Sequence, residues 1–333
     1  MSVHIRRCRA AIGFAVAMII LLSCGCARQQ QQQVITEERR QEAISLYVDA
    51  LMLNELNEHD EALEKLQLAT ELDPELAVEF SLKGDVYQAT EDFENSADSY
   101  ETATELDPWS FKDFFNLGKV TQVMKQFVRS VQAYVRACEI EPEHYEANLN
   151  AGKVYYHLKE YDLAFDYASH AKKIDPNSAA PEIILGDIFE VRKDHPKAIE
   201  AYRRALERQG NKPEILVPLA VAYLRTGRYE AAAELLDTSL EMDPNDFMAH
   251  QYMGFAHLKL RDPDSAIISY ETAAQIEPED WMARKGLGIA YMIKANYAGD
   301  KALKQRGLDQ WKMSLEYKPD QPKLQMLLDK YSK

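Results

Sequence analysis

Small, large and proline positions recur along this chain with one period. Gly84, Gly118, Gly152, Gly186, Ala220, Gly254 and Gly288 are spaced by 34 residues. Three positions beyond them the side chain is large at Tyr87, Tyr155, Phe189, Tyr223 and Tyr291, with Thr121 and His257 as departures. A second small-residue ladder runs through Ala69, Ala103, Ala137, Ala171, Ala205, Ser239 and Ala273. Pro74, Pro108, Pro142, Pro176, Pro244 and Pro278 keep the same phase, and Gly210 stands where another proline is due. A fixed period of this length predicts stacked structural units, each unable to bury its apolar face alone. Two antiparallel helices per unit explain the ladders. Their crossing needs Gly or Ala, and large side chains fill the groove beside it. The Asp-Pro pairs end each unit, because proline lacks the amide hydrogen of a helix interior and pushes its predecessor toward extended backbone.

These positions resemble the tetratricopeptide repeat pattern W-x2-L-G-x2-Y, A-x3-F, P. The matching residues are Phe80, Gly84, Tyr87, Tyr100, Ala103 and Pro108 in the second unit, and Gly152, Tyr155, Ala164, Ala171 and Pro176 in the fourth. The resemblance implies an all-α fold, a right-handed α-solenoid of about eight helical hairpins. Its units start near residues 43, 77, 111, 145, 179, 213, 247 and 281. Leu324, Leu327, Leu328 and Tyr331 recur at helical spacing, which predicts a C-terminal capping helix over 322–333. The family is similar in holding peptides or helices in a concave groove.

Two irregularities interrupt the array, which is expected over 37–321. At 210–218, Gly210 replaces the stop proline, and Pro213 and Pro218 enter the next helix. Pro213 suits a first turn, whereas Pro218 is expected to kink the helix and change the course of the array. At 295–302 the last unit carries seven extra residues, Pro319 lying 41 rather than 34 positions after Pro278. The expectation is a longer second helix through DKALKQRGLDQWKMSLEY, with Trp311 in the usual aromatic position and Lys301, Lys304 and Arg306 on its overhang.

The formal charge of -15 argues against a nucleic-acid partner. Cys8, Cys24, Cys26 and Cys138 form neither a paired CxxC nor a disulfide framework, and Cys138 beside Ala137 reads as packing. No HExxH, P-loop or GxSxG string occurs. Gly286-Leu287-Gly288 imitates a dinucleotide fingerprint but lies within a repeat helix. His250 and His257 share a helix face at ladder positions that read as packing. No catalytic residue, cofactor or metal is therefore expected.

The amino terminus has a different character. Arg6, Arg7 and Arg9 precede an apolar run from Ala10 to Leu22, the charged and apolar regions of an export signal and too short for a spanning helix. Leu21-Leu22-Ser23-Cys24 resembles a bacterial lipobox, which implies a signal peptide over 1–23 and a lipidated Cys24 as first mature residue. Cys26 is a poorer candidate, an uncleaved signal anchor the alternative. Residues 24–36, with five consecutive glutamines, read as a tether, and Thr36 as the N-cap of the first helix.

The groove is expected on the first helix of each unit. Lys112, Asn116 and Lys119 share one helix face, and Asn150 and Lys153 repeat the last two a unit later. Asparagine grips a peptide backbone and lysine a carboxylate, so these five are candidate peptide-binding residues. Farther along, the corresponding positions are apolar: Val217 and Val221, then Met248, Tyr252 and Phe255, then Met282 and Ile289. The expectation is an exported, lipid-anchored scaffold that binds a peptide or amphipathic helix of an envelope partner. Alternatives are a recruiting or regulatory subunit of an enzyme acting in trans, or a cytosolic co-chaperone.

Overall fold

A computed structural model describes residues 36–332. Among them the structure is helical throughout, without strands. Helices pair as α1 (36–55) with α2 (His59–Leu72), α3 (Ala77–Ala89) with α4 (Phe93–Leu106), and α5 (Phe111–Val123) with α6 (Phe127–Ile140). Next come α7 (Tyr145–His157) with α8 (Tyr161–Ile174), α9 (Ala180–Val191) with α10 (His195–Gln209), and α11 (Pro213–Arg225) with α12 (Tyr229–Met242). Then follow α13 (Phe247–Lys259) with α14 (Pro263–Ile276), α15 (Trp281–Ala298) with α16 (Lys301–Tyr317), and the unpaired α17 (Pro322–Tyr331). Thr36, expected as a cap, already lies within α1.

The ladders have a steric cause. Tyr202 is buried, and a Cβ built on Gly186 would stand 2.5 Å from its ring, closer than two carbons can come. Ser96 and Ser130 lock their hairpins further by donating to the carbonyls of Gly84 and Gly118, both at 2.8 Å. The turn between paired helices contains one residue in the left-handed region. Asn57, Glu91, Lys125, Lys159, Lys193 and Arg261 hold φ of 59–66°, and Gly227 holds 77°. These positions keep the 34-residue period, yet only one of them is glycine.

The chain divides into two compact units, one ending at Pro142 and the other beginning at Glu143. The division therefore does not fall at 210–218. There Gly210 caps α10, Pro213 opens α11, and Pro218 sits inside a helix that continues to Arg225. A core of Ile199, Tyr202, Ala205, Ile215 and Leu219 ties α10 to α11. That burial holds the helix together past the hydrogen bond which proline cannot make.

The insertion in the last hairpin is shared, not confined to its second helix. Relative to α13 and α14, of 13 and 14 residues, α15 has 18 and α16 has 17, while the turn loses one residue. Gly299, at φ 65°, ends α15 in the left-handed region and Asp300 caps α16 through the amides of Ala302 and Leu303. A Gly-Asp pair thus stops one helix and starts the next. Buried Trp311 packs with Leu308 and Leu324, and Gln321 donates to the Ser314 carbonyl at 3.0 Å, seating α17 on α16.

Candidate concave-face binding surface

In the second unit the first helices α7, α9, α11, α13 and α15 pack on one another in succession, whereas the second helices pack chiefly on the first helices flanking them. The first helices therefore form the inner layer of that unit, and the residues they leave open are its candidate binding surface.

In the first unit, Lys112 is exposed but engaged, its Nζ lying 2.6 Å from Asp85 Oδ2 and 3.2 Å from Ser81 Oγ. The other oxygen of Asp85 accepts from the Tyr100 hydroxyl at 2.5 Å. Burial raises the Tyr100 phenol, the charge and hydrogen bond of Asp85 raise it further, and a hydrogen bond from Asn116 opposes them. Asn116 is thus part of the same network. Half-buried Lys119 stands 5.8 Å from the centroid of the Phe115 ring. Of the three, Lys112 and Asn116 are held by neighbours, and Lys119 has a ring beneath its charge.

In the second unit, Asn150 and Lys153 of α7 are half-buried, and burial lowers the Lys153 ammonium. On α9, Asp187 repeats the arrangement of Asp85, accepting from Tyr202 at 2.6 Å. Burial pushes Asp187 up to about 6, its Tyr202 hydrogen bond opposing and the Glu190 charge adding. Glu190 also meets the His195 ring at 2.9 Å. Burial raises the Tyr252 phenol, Arg225 opposing and Glu190 adding, so charges on α9 and α11 both act on a phenol of α13. The pattern Asp-x14-Tyr at 85–100 and 187–202, three periods apart, was available in the sequence and would have disclosed the pair.

The apolar positions lie on α11, α13 and α15. Met248, Phe255 and Met282 are 39%, 37% and 43% exposed, and Val217, Val221, Tyr252 and Ile289 are half-buried. Exposure of large apolar side chains on the neighbouring helices α13 and α15, continued by half-buried ones on α11, marks a surface suited to another protein.

Other candidates take structural places. Cys138 is a free buried thiol that burial pushes up to about 12, far from a reactive thiolate. The His250 ring nitrogen lies 2.9 Å from the Pro244 carbonyl, and among the described residues no group of three His, Cys, Asp or Glu could hold a metal ion. Gly286 and Gly288 belong to α15, their faces filled by Tyr270 and Trp311. The lipobox and residues 24–35 of the expected tether lie outside the described residues, among which no helix is long and apolar enough to cross a membrane.

No curated protein matches the chain. Among solved structures it is similar to the APC/C hetero-tetramer Cut9-Hcn1, at 20% identity and a TM-score of 0.56, covering 76% of this chain and 47% of that one. It thus spans about half the length of that relative. It is also similar to pilF of Pseudomonas aeruginosa, at 18% identity and TM-score 0.54, covering 62% of this chain and 95% of that one. A tetratricopeptide repeat protein from Parabacteroides merdae gives 14% identity and TM-score 0.54, covering 75% and 99%. At such identities the likeness is one of fold. Family models described as tetratricopeptide repeat match residues 80–108, 124–179 and 192–253. The chain therefore carries tetratricopeptide repeats, folded as an α-solenoid of helical hairpins.

Proposed function

We propose that this protein is an exported, lipid-anchored scaffold of the cell envelope that binds a peptide or amphipathic helix of another envelope protein, on the periplasmic side of a membrane in a Gram-negative cell. The observation that carries the binding reading is the set of exposed apolar side chains on α13 and α15 of the second unit, with half-buried ones beside them on α11. An amphipathic helix recognises such a strip by laying its own apolar face along it. Lys153 of the second unit presents a charge to an acidic segment of the partner, and Lys119 of the first unit is separately a candidate contact of the same chemistry. Anchoring rests on the sequence alone, on Arg6, Arg7 and Arg9, the apolar run and Cys24. Acyl chains on Cys24 would hold the array at a membrane through the polar segment that follows it in the sequence.

Two experiments test this reading. Reversing Lys119 or Lys153 to Glu, singly, weakens partner capture from solubilised membranes without shifting thermal unfolding, and the loss shrinks at high salt. Unchanged capture by the folded variants counts against these sites. Cys24→Ala abolishes incorporation of a labelled fatty acid; equal labelling of that variant refutes the anchor.

A further inference from the structure

We propose that the open pocket lined by α15, α16 and α17 docks an acidic amphipathic helix of a partner protein, its apolar side chains entering the pocket and its carboxylates meeting Lys301 and Lys304. The inference rests on the protein-binding reading above and names the chemistry of the partner. The shared insertion creates the site, because α15 runs five residues beyond the length of α13 and carries Tyr297, 70% exposed, on its last turn. Below that overhang lies a cavity of about 750 Å³. Its apolar wall is Ile289, Met292 and Ile293 of α15, Trp311 of α16, and Leu327 and Tyr331 of α17. That volume suits several side chains rather than one. Half-buried Ile289 lines this pocket and is also one of the apolar positions of the surface described above.

Charge selects the occupant. Lys301 and Lys304 line the cavity and form no ion pair among the described residues. Asp300 beside them is occupied, its Oδ1 accepting from the amides of Ala302 and Leu303 at 2.7 and 3.1 Å. Arg306, the third cation of this overhang, is held by Glu271 at 2.9 Å and lies over the Tyr291 ring. Two uncommitted lysines lining an apolar pocket favour carboxylates there by local charge complementarity.

The test uses the purified full chain and a fluorescein-labelled helical peptide with leucines at i, i+3, i+4 and i+7 and two glutamates in its last turn. A matched peptide has lysines in place of the glutamates. Anisotropy titration should show binding of the acidic peptide at least about tenfold tighter than of the basic one, with the difference shrinking in 0.5 M salt. K301E/K304E, checked for unchanged thermal unfolding, should reverse this preference. If that pair fails to fold, K301Q/K304Q should instead erase it. Equal affinity for both peptides, or a preference that survives either substitution, overturns the proposal. Saturable binding of laurate, lost in the double variant while the acidic peptide does not bind, overturns it in favour of an acyl carboxylate. Partner capture from membranes that persists alongside either result leaves the protein-binding reading standing, so the two failures are distinguishable.

Discussion

The Tyr202 hydroxyl donates to Asp187 Oδ1 at 2.6 Å, joining α10 to α9 across the crossing made by Gly186. The bond stabilises the ionised carboxylate against its burial, and Glu190 works in the opposite sense. Tyr202→Phe keeps the ring under Gly186 and removes the donor. We expect a loss of about 1–3 kcal/mol near neutral pH and an upward move of the Asp187 titration from about 6. Denaturant unfolding reads the first, carboxyl NMR the second. An unmoved Asp187 titration would show that the bond does not govern its charge.

Glu79 titrates in the opposite direction to an ordinary stabilising carboxylate. It is fully buried, neither carboxyl oxygen has a hydrogen-bond partner, and burial with the charge of Asp73 pushes it up to about 7. A raised acid contributes stability that is complete below the unfolded-chain value and lost as pH rises through 7. Glu79→Gln should therefore unfold like the parent at about pH 3.5, below the unfolded value of 4.5, and be more stable by about 1–3 kcal/mol at about pH 8.5. Equal stability gains at both pH values would contradict this.

Glu182 shows the converse case. One carboxyl oxygen meets Lys172, Arg204 and Arg208, each at 2.9 Å, so a single group ties α9 to both α8 and α10. Burial acts to raise it, but the hydrogen bonds and charges of Arg204 and Lys172 prevail and hold it below the usual carboxylate range. Its contribution is present at neutral pH and lost as pH falls through that lowered value. Glu182→Ala leaves three cations converging on nothing and should cost about 3–5 kcal/mol in urea unfolding. A loss within 0.5 kcal/mol would show the cations relaxing into solvent.

Hydrogen exchange should divide the array where its packing divides. Protection is expected to form two blocks, meeting near Pro142 and Glu143. Continuous protection is expected from α10 into α11. Faster exchange over 210–225 than in both flanking helices would restore a break at the paired prolines.

How much of this was legible in the chain follows from which constraints are steric. Gly186 beneath Tyr202 leaves no choice of residue, so the crossing writes itself into the sequence and its recurrence discloses the hairpins. The insertion was visible as a count, but its division between α15 and α16 depended on Gly299 and Asp300, a stop and start signal inside the expected helix. At the surface, Lys112 reads as a free groove cation, yet Asp85 lies 2.6 Å away on the preceding hairpin. That pairing depends on how adjacent units stack, which side-chain periodicity along one helix does not encode.

The left-handed turn residues were not legible at all. Asn57, Glu91, Lys125, Lys159, Lys193 and Arg261 share a backbone state that costs an L-residue about 1–2 kcal/mol. In a linear array each penalty falls on its own hairpin and its immediate neighbours, not on the whole fold. Selection removes only sequences that drop below a working threshold of stability. Six such turns beside Gly227 mean that packing within each hairpin offsets the cost of its own turn, so each of the six is a position where glycine would relieve a local penalty.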